Sequence, residues 1–318
     1  MPITRRDALL AMLAAPLAAP WLTSCRDTPA PSPPVPAAHG LAPVAPREAQ
    51  RHNPPAPPAA WELMDFPPSE ARRLPQKALV RGAAPGPLLV LLHGRGETRS
   101  LDIGARGWRD DYLLERAFGR LAAPPLTSAD LEGFVTVERL RALNAALAAR
   151  PFRGLGVACP FTPDLIRGPA EETEPFARFV IEELLPRARP GGAGPAEAGI
   201  DGVSLGGRVA LFVGLRHPEV FGAVGAMQPA LQRSEVPVVV ELIKRAQQVR
   251  PQRLRLMTSE GDPFRPVVEA LSEALEQAGV PHTPLVTPGP HDYAWNRGPG
   301  SVETLLWYDR ALRGEAHL

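Results

Sequence analysis

The sequence has only two cysteines, and this scarcity excludes several kinds of site. No cysteine–histidine cluster has zinc-ligand spacing, so no metal site is expected. Neither a Walker motif nor a dinucleotide-binding glycine fingerprint is present. The net charge is only +1, which gives no electrostatic reason to expect nucleic acid as a partner. Cys159 ends a short apolar run and is expected to be a small core residue rather than a nucleophile.

Long hydrophobic runs are also scarce. The run Ala8–Leu22 has the length of a signal-peptide core and is too short to span a membrane comfortably. It follows Arg5-Arg6 and leads into Leu22-Thr23-Ser24-Cys25, which resembles a bacterial lipobox. The segment Thr4–Leu9 also resembles a twin-arginine signal, with Ala8 where an aromatic residue is usual. Residues 1–24 are therefore predicted to be a signal peptide, rather than an Ala/Leu helix packed on the domain.

Proline, in contrast, is abundant and concentrated. Of the 40 prolines, eleven lie between Thr28 and Ala60. Such a segment cannot bury a core and should form an extended, semi-rigid spacer. The predicted organisation is a linker over residues 25–60, tethered to the membrane by a lipid on Cys25, and a folded domain over residues 61–318. If Cys25 carries a lipid, no intramolecular disulfide can form.

In the folded part, short apolar strands alternate with helical stretches. This alternation predicts an α/β fold with a mostly parallel central sheet and helices on both faces. The predicted strands are 87–92, 154–159, 198–201, 221–227, 254–258 and 283–287. The predicted helices are 137–149, 174–187, 205–216, 236–249, 266–278 and 302–312. The long insertion between the first two strands, 101–150, is a candidate lid or cap.

The most informative motif is Gly202-Val203-Ser204-Leu205-Gly206, which matches G-x-S-x-G. A predicted strand precedes it and a predicted helix follows it, which is the context of a nucleophile elbow. The glycines allow the chain to approach itself closely, and the turn exposes the hydroxyl of Ser204. The alternative is a glycine-rich turn between core elements.

A nucleophilic serine needs a histidine base and an acid that orients it. His291 follows the last predicted strand, where the base should lie. His217 is too near Ser204 in sequence, and His282 lies at the wrong end of its strand.

The acid should follow the preceding strand, where the chain reads Thr258-Ser259-Glu260-Gly261-Asp262. Asp262 is the first candidate and Glu260 the second, and a solvated pair of turn residues is the alternative without function. The tetrahedral intermediate also needs two N–H donors. The amide of Leu205 and the amide of Arg95, in His93-Gly94-Arg95-Gly96, are the predicted donors, with His93 holding its loop by hydrogen bonds.

Five segments together resemble the esterase family of α/β-hydrolases that contains esterase D, the enterochelin-esterase hydrolase domain and feruloyl-esterase-like enzymes. The segments are Leu91–Gly96, Glu183–Pro186, Gly202–Gly207, Arg216–Val224 and Gly289–Tyr293 with Trp295. The resemblance implies an α/β-hydrolase fold, a Ser204–Asp262–His291 triad, hydrolysis of carboxylic esters and no cofactor. The sequence departs from the family at Gln228-Pro229 and in the insertion 101–150, both of which could border the substrate pocket.

Three aromatic residues are candidates for lining that pocket: Trp108, Tyr293 and Trp295. The alternative for each of them is a place in the core. The prediction is an exported, lipid-anchored serine esterase of the cell envelope that acts on a small-molecule or envelope-associated ester. An acyltransferase that uses the same triad is one alternative. A non-catalytic envelope binding module on a hydrolase scaffold is the other.

Overall fold

The computed structural model describes residues 60–69, 72–82, 86–165, 170–191, 194 and 197–315. The predicted signal peptide 1–24, Cys25 and the linker up to residue 59 lie outside the described residues. Within the described ranges, no helix combines the length and apolar character needed to cross a bilayer.

The described part of the domain is built around a sheet of eight strands. Their order across the sheet is β1-β2-β4-β3-β5-β6-β7-β8. β1 and β2 pair antiparallel, β2 pairs antiparallel with β4, and all later neighbours are parallel. The strands are β1 (Trp61–Phe66), β2 (Gln76–Arg81), β3 (Leu88–Leu92), β4 (Gly156–Pro160), β5 (Ala198–Gly202), β6 (Ala223–Met227), β7 (Arg253–Gly261) and β8 (Thr283–Pro290).

The helices occupy the connections, as the parallel arrangement requires. The predicted helix 174–187 is a continuous helical segment in which a π-helical turn, Phe179–Leu184, separates two α-helical parts. The helices are α1 (Leu101–Asp110), α2 (Leu114–Ala122), α3 (Val137–Ala149), α4 (Glu174–Arg178), α5 (Leu185–Ala188), α6 (Leu205–Arg216), α7 (Val236–Val249), α8 (Arg265–Gln277), α9 (Tyr293–Trp295) and α10 (Ser301–Ala311). The predicted α/β-hydrolase architecture is confirmed, and α3, α6 and α7 have the predicted bounds.

Two apolar clusters cover the two faces of the sheet. One face packs against α4, α5, α6, α7 and α8. The other packs against α1, α2, α3 and α10. The insertion 101–150 therefore forms part of a helical layer on the sheet, because its apolar side chains are needed to cover that face. Whether any part of the insertion also acts as a lid or cap over the site stays a prediction.

The strand order also decides where loops meet. β3 lies between β4 and β5, so the chain runs from β3 to β4 on one side and then crosses back from β4 to β5 on the other. Loops after the carboxyl ends of β3 and β5 are therefore neighbours at a topological switch point, where α/β proteins bind their ligands. Residues 93–97 follow β3 and Ser204 follows β5, which places the two predicted motifs side by side.

Candidate active site

Ser204 occupies a tight, strained turn between β5 and α6. Its φ of 57° and ψ of −115° lie in a region that non-glycine residues rarely adopt. Hydrogen bonds hold the turn on both sides: Ser204 N–H donates to Met227 O at 2.9 Å, and Ala230 N–H donates to Ser204 O at 3.0 Å. The backbone strain is therefore fixed by the ends of neighbouring strands, as in a nucleophile elbow.

Gly202 and Gly206 allow the elbow to close. A Cβ added to Gly202 would lie 2.5 Å from the backbone of Gly206, and one added to Gly206 would collide with the backbone carbonyl of Leu92. Any side chain at either position would force the strand and helix apart. The two glycines of the motif thus serve close backbone approach, as the sequence analysis expected.

His291 and Asp262 form the second part of the site. His291 Nδ1 lies 2.8 Å from Asp262 Oδ1, and the Asp262 side chain is fully buried. Asp262 also accepts hydrogen bonds from Thr258 Oγ1 at 2.6 Å and from Phe264 N–H at 3.0 Å. With Nδ1–H donating to the carboxylate, His291 Nε2 carries a free lone pair for a proton. The carboxylate is thus held in place to orient the ring.

The structure brings Ser204, His291 and Asp262 to the same edge of the sheet, after β5, β8 and β7 respectively. No hydrogen bond links the Ser204 hydroxyl to the His291 ring among the described residues. In sites without substrate, such contacts are often long and tighten only when substrate binds.

The other histidines considered for the base, His217 and His282, have partners outside the site, and the second candidate acid, Glu260, does not point to His291. His217 lies beside Glu174 and Glu219, at 3.4 and 3.1 Å. His282 contacts Ser272 Oγ at 2.7 Å. Glu260 is exposed, whereas Asp262 points inward to His291.

The predicted oxyanion donors are both backbone amides at the starts of helical turns. Leu205 is the first residue of α6, and the first N–H groups of a helix have no partner within the helix. The positive end of the helix dipole adds to their attraction for negative charge. Arg95 begins a 3₁₀ turn, Arg95–Glu97, after β3. Its side chain pairs with Asp164 at 2.9 Å and is half exposed, which leaves the backbone as the part of Arg95 that fits this role.

His93 sets the direction of the Arg95 amide. Thr162 N–H donates to His93 Nε2 at 2.8 Å, so the ring proton is on Nδ1, which donates to Gly94 O at 2.7 Å. The Gly94 carbonyl and the Arg95 N–H lie in one trans peptide plane and point in opposite directions. Burial lowers the pKa of His93 to about 4, so the ring stays neutral and keeps this arrangement.

The structure corrects two of the three predicted pocket aromatics. Trp108 is 1% exposed and packs edge-on against Tyr112, and Trp295 is fully buried and donates to Thr287 Oγ1 at 2.7 Å. Both fill the core because an indole ring offers a large apolar surface to bury. Tyr293 differs, since 39% of it is exposed. It lies two residues after His291, in the segment that follows β8 and is called the base loop below.

Two further polar residues lie near the site: Glu97, to which the sequence gives no role, and Gln228, which the sequence marks only as a departure from the family pattern. Glu97 is buried in the 3₁₀ turn and accepts from the hydroxyls of Tyr112 and Tyr293, at 2.7 and 2.5 Å. Gln228, at the departure from the family pattern, is buried with a φ of 44° and donates to Pro290 O at 3.0 Å. Gln228 therefore fixes the carbonyl directly before His291. No local pattern predicts these hydrogen bonds, because Pro290 and Tyr293 are distant in sequence from Gln228 and Glu97.

The described residues contain no group of three or more histidine, cysteine or acidic side chains that could hold a metal ion. Cys159 is buried on β4, and burial raises the pKa of its thiol, which suits a core residue.

One family model matches part of the chain. Residues 167–296 match the family described as "Putative esterase". The matched stretch is 130 of the chain's 318 residues and contains Ser204, Asp262 and His291. No curated protein sequence matches the chain.

Solved structures with a similar backbone include hydrolases of several kinds. S-formylglutathione hydrolase FrmB from Staphylococcus aureus has 14% identity and a TM-score of 0.57, covering 79% of this chain and 99% of that chain. A ferulic acid esterase has 17% identity and a TM-score of 0.59, covering 80% and 99%. The enterobactin esterase FES from Shigella flexneri has 18% identity and a TM-score of 0.52, covering 79% of this chain and 60% of its own. At these identities the likeness establishes the α/β-hydrolase fold.

Proposed function

We propose that the protein is a serine hydrolase that cleaves carboxylic esters. The observation that carries the proposal is the contact between His291 Nδ1 and Asp262 Oδ1, at the same edge of the sheet as the strained Ser204 elbow. The match of residues 167–296 to an esterase family supports the choice of substrate class.

The proposed mechanism uses an acyl-enzyme. His291 Nε2 takes the proton of Ser204 as its oxygen attacks the ester carbonyl, and Asp262 stabilises the imidazolium that forms. The amides of Leu205 and Arg95 donate to the oxygen that becomes negative in the tetrahedral intermediate. His291 returns the proton to the leaving alcohol. It then activates the water that attacks the acyl-enzyme and releases the acid.

The substrate pocket is proposed to lie along the base loop. The ring of Phe264 lies 5.6 Å from the His291 ring, and the exposed face of Tyr293 is two residues away. Phe134 packs against the end of β8, just before this loop, since a Cβ on Gly289 would lie 2.9 Å from the Phe134 ring. Apolar aromatic walls of this kind suit an ester with an apolar or aryl acyl group.

The two alternatives have less support. A dry site under a lid would favour acyl transfer over hydrolysis. The insertion 101–150 packs against the sheet as a helical layer, which gives no specific reason to prefer transfer. A binding module has no need for an acid that accepts three hydrogen bonds and orients a histidine.

The test is hydrolysis of p-nitrophenyl esters of increasing acyl length, with an aryl acyl ester included. We expect turnover by the parent, none by Ser204→Ala, and a loss of roughly 10⁴-fold in kcat for Asp262→Asn, which leaves His291 in the wrong tautomer. Glu260→Gln is the matched control, because Glu260 is an exposed acid at the end of β7, two residues before Asp262, and its kcat should stay within twofold. A folded parent that hydrolyses none of these esters would favour the binding module.

We also propose that the chain is exported and anchored by a lipid on Cys25. The support is the sequence pattern of residues 1–25 and the proline-rich linker that follows. An anchor of this kind would hold the hydrolase domain near an envelope surface while the linker lets it reach substrates.

A further inference from the structure

Glu97 is a buried carboxyl group beside the proposed oxyanion site. It is 1% exposed, and an unpartnered carboxylate at such a place would be costly. Its two oxygens are instead satisfied by two tyrosine hydroxyls. These tyrosines come from different parts of the chain, one in the insertion after α1 and one at the start of α9.

The first tyrosine links Glu97 to the oxyanion loop. Tyr112 Oη donates to Glu97 Oε2 at 2.7 Å and accepts from Gly94 N–H at 3.0 Å. The hydroxyl thus uses its donor and one acceptor at once. Both backbone polar groups of Gly94 are hydrogen-bonded, because its N–H donates to Tyr112 and its carbonyl accepts from His93 Nδ1. The Tyr112 hydroxyl therefore fixes the His93–Gly94 peptide, and His93 holds the next peptide, which carries the Arg95 N–H.

The second tyrosine links Glu97 to the base loop. Tyr293 Oη donates to Glu97 Oε1 at 2.5 Å, and Tyr293 is two residues after His291. The hydrogen bond to Glu97 is the main cause that raises the pKa of Tyr293 to about 12. For Tyr112, burial is the main cause of a strongly raised pKa. Both hydroxyls therefore keep their protons and remain donors at neutral pH.

Two glycines leave the space that this network needs. A Cβ on Gly96 would lie 2.6 Å from Tyr293 Oη, and a Cβ on Gly107 would lie 2.9 Å from Glu97 Cγ. Gly96 belongs to the His93–Gly96 motif, and Gly107 lies on α1. An alanine at either position would push the carboxyl group or the hydroxyl out of place. The hydrogen-bonded residues Gly94, Tyr112, Glu97 and Tyr293 are thus closely packed against these glycines.

We propose that Glu97 is a positioning residue that couples the loop of the oxyanion donor to the loop of the base, through Tyr112 on one side and Tyr293 on the other. This inference rests on the proposed ester hydrolysis. The coupling keeps a fixed separation between the Arg95 amide and His291. Errors of about 1 Å in such a separation can cost about 100-fold in rate.

The first test needs no substrate, so it is independent of the proposed function. Amide hydrogen exchange of residues 93–98 is compared in the full-length parent, Tyr293→Phe and Tyr308→Phe. Tyr308→Phe is the matched control, since it removes a buried hydroxyl that donates to Ile200 O in the core. We expect Tyr293→Phe to speed exchange in residues 93–98 severalfold, although these residues are about 200 positions away. Tyr308→Phe should leave that segment unchanged.

The second test measures kcat and KM for ester hydrolysis. The concentration of active sites is determined by titration with a fluorophosphonate. Tyr293→Phe, Tyr112→Phe and Glu97→Gln should each lower kcat about tenfold, with KM within twofold, because geometry rather than binding is lost. In Glu97→Gln, one acceptor oxygen becomes an N–H₂ donor, so the tyrosine that faces it loses the acceptor for its proton and can stay linked only by turning its hydroxyl to accept.

The proposal is overturned if Tyr293→Phe behaves like the control Tyr308→Phe. In that case the exchange of residues 93–98 and kcat per active site both stay at parental values, and only the unfolding temperature falls. If the parent is inert towards esters and fluorophosphonate while exchange shows the coupling, the proposed function fails and the coupling between the two loops stands.

Discussion

His93 shows how one buried side chain connects stability to the site. Its imidazole is fully buried, accepts from Thr162 N–H and donates to the Gly94 carbonyl. Protonation would place a second N–H against the Thr162 amide. The lowered pKa, about 4, therefore reflects a folded state that resists the proton that an unfolded histidine binds near pH 6.5.

This difference predicts a loss of stability in acid. Between pH 6.5 and pH 4 the unfolded chain binds a proton that the folded chain excludes, so the free energy of unfolding falls as pH falls. His93→Asn should be less stable at pH 7 but should lose about 2 kcal/mol less between pH 6.5 and 4.5. Denaturant unfolding of both proteins across this range measures the difference.

The parent must be compared with His93→Asn because a second buried group, Asp201, also changes stability with pH. Burial raises its pKa to about 7, so the folded chain keeps a proton that the unfolded chain releases. Its contribution to stability is lost as pH rises towards 7, opposite in sign to that of His93. A parental curve alone would mix the two effects. Identical acid losses in the parent and His93→Asn would contradict the assignment to His93.

At the scale of elements, the insertion is joined to the C-terminal helix by a buried ion pair. Arg139 on α3 donates twice to Glu303 on α10, at 2.8 and 2.6 Å, and the Glu303 side chain is 4% exposed. This pairing holds the insertion against the sheet.

Removing one partner should cost more than removing both. Arg139→Met should lower the free energy of unfolding by about 3 kcal/mol, because it leaves Glu303 buried without its main partner. The double variant Arg139→Met/Glu303→Leu should recover much of that loss, as measured by urea unfolding. Equal stabilities for the single variant and the parent would show that α3 is held by apolar packing alone.

The sequence predicts those elements whose signal is local. α6 has the predicted bounds because the elbow begins it and His217-Pro218 follows its end. β1 and β2 were not predicted, because antiparallel edge pairing depends on partners and not on a continuous apolar run. Trp108 and Trp295 were placed in the pocket because sequence position near a site does not reveal which way a ring points. The partners of Glu97 are 15 and 196 positions away, so no motif could show them.

At the scale of the whole molecule, the sequence predicts a lipobox-like segment, a proline-rich linker and a folded domain in one chain. If Cys25 is lipidated, a clickable fatty-acid analogue fed to an expressing bacterium should label the full chain and place it in the membrane fraction. Cys25→Ala should lose both the label and the membrane location, whereas the control Cys159→Ala should keep them. Labelling that survives Cys25→Ala would contradict the proposed anchor.

The central claim is that Ser204 is an activated nucleophile, and the most direct measurement is its trapping by a fluorophosphonate. Intact-mass analysis and peptide mapping of the labelled full-length protein locate the adduct. We expect one adduct, on Ser204, that is absent from folded Ser204→Ala and forms much more slowly in Asp262→Asn. A folded parent that stays unmodified, or an adduct on a different residue, would contradict it.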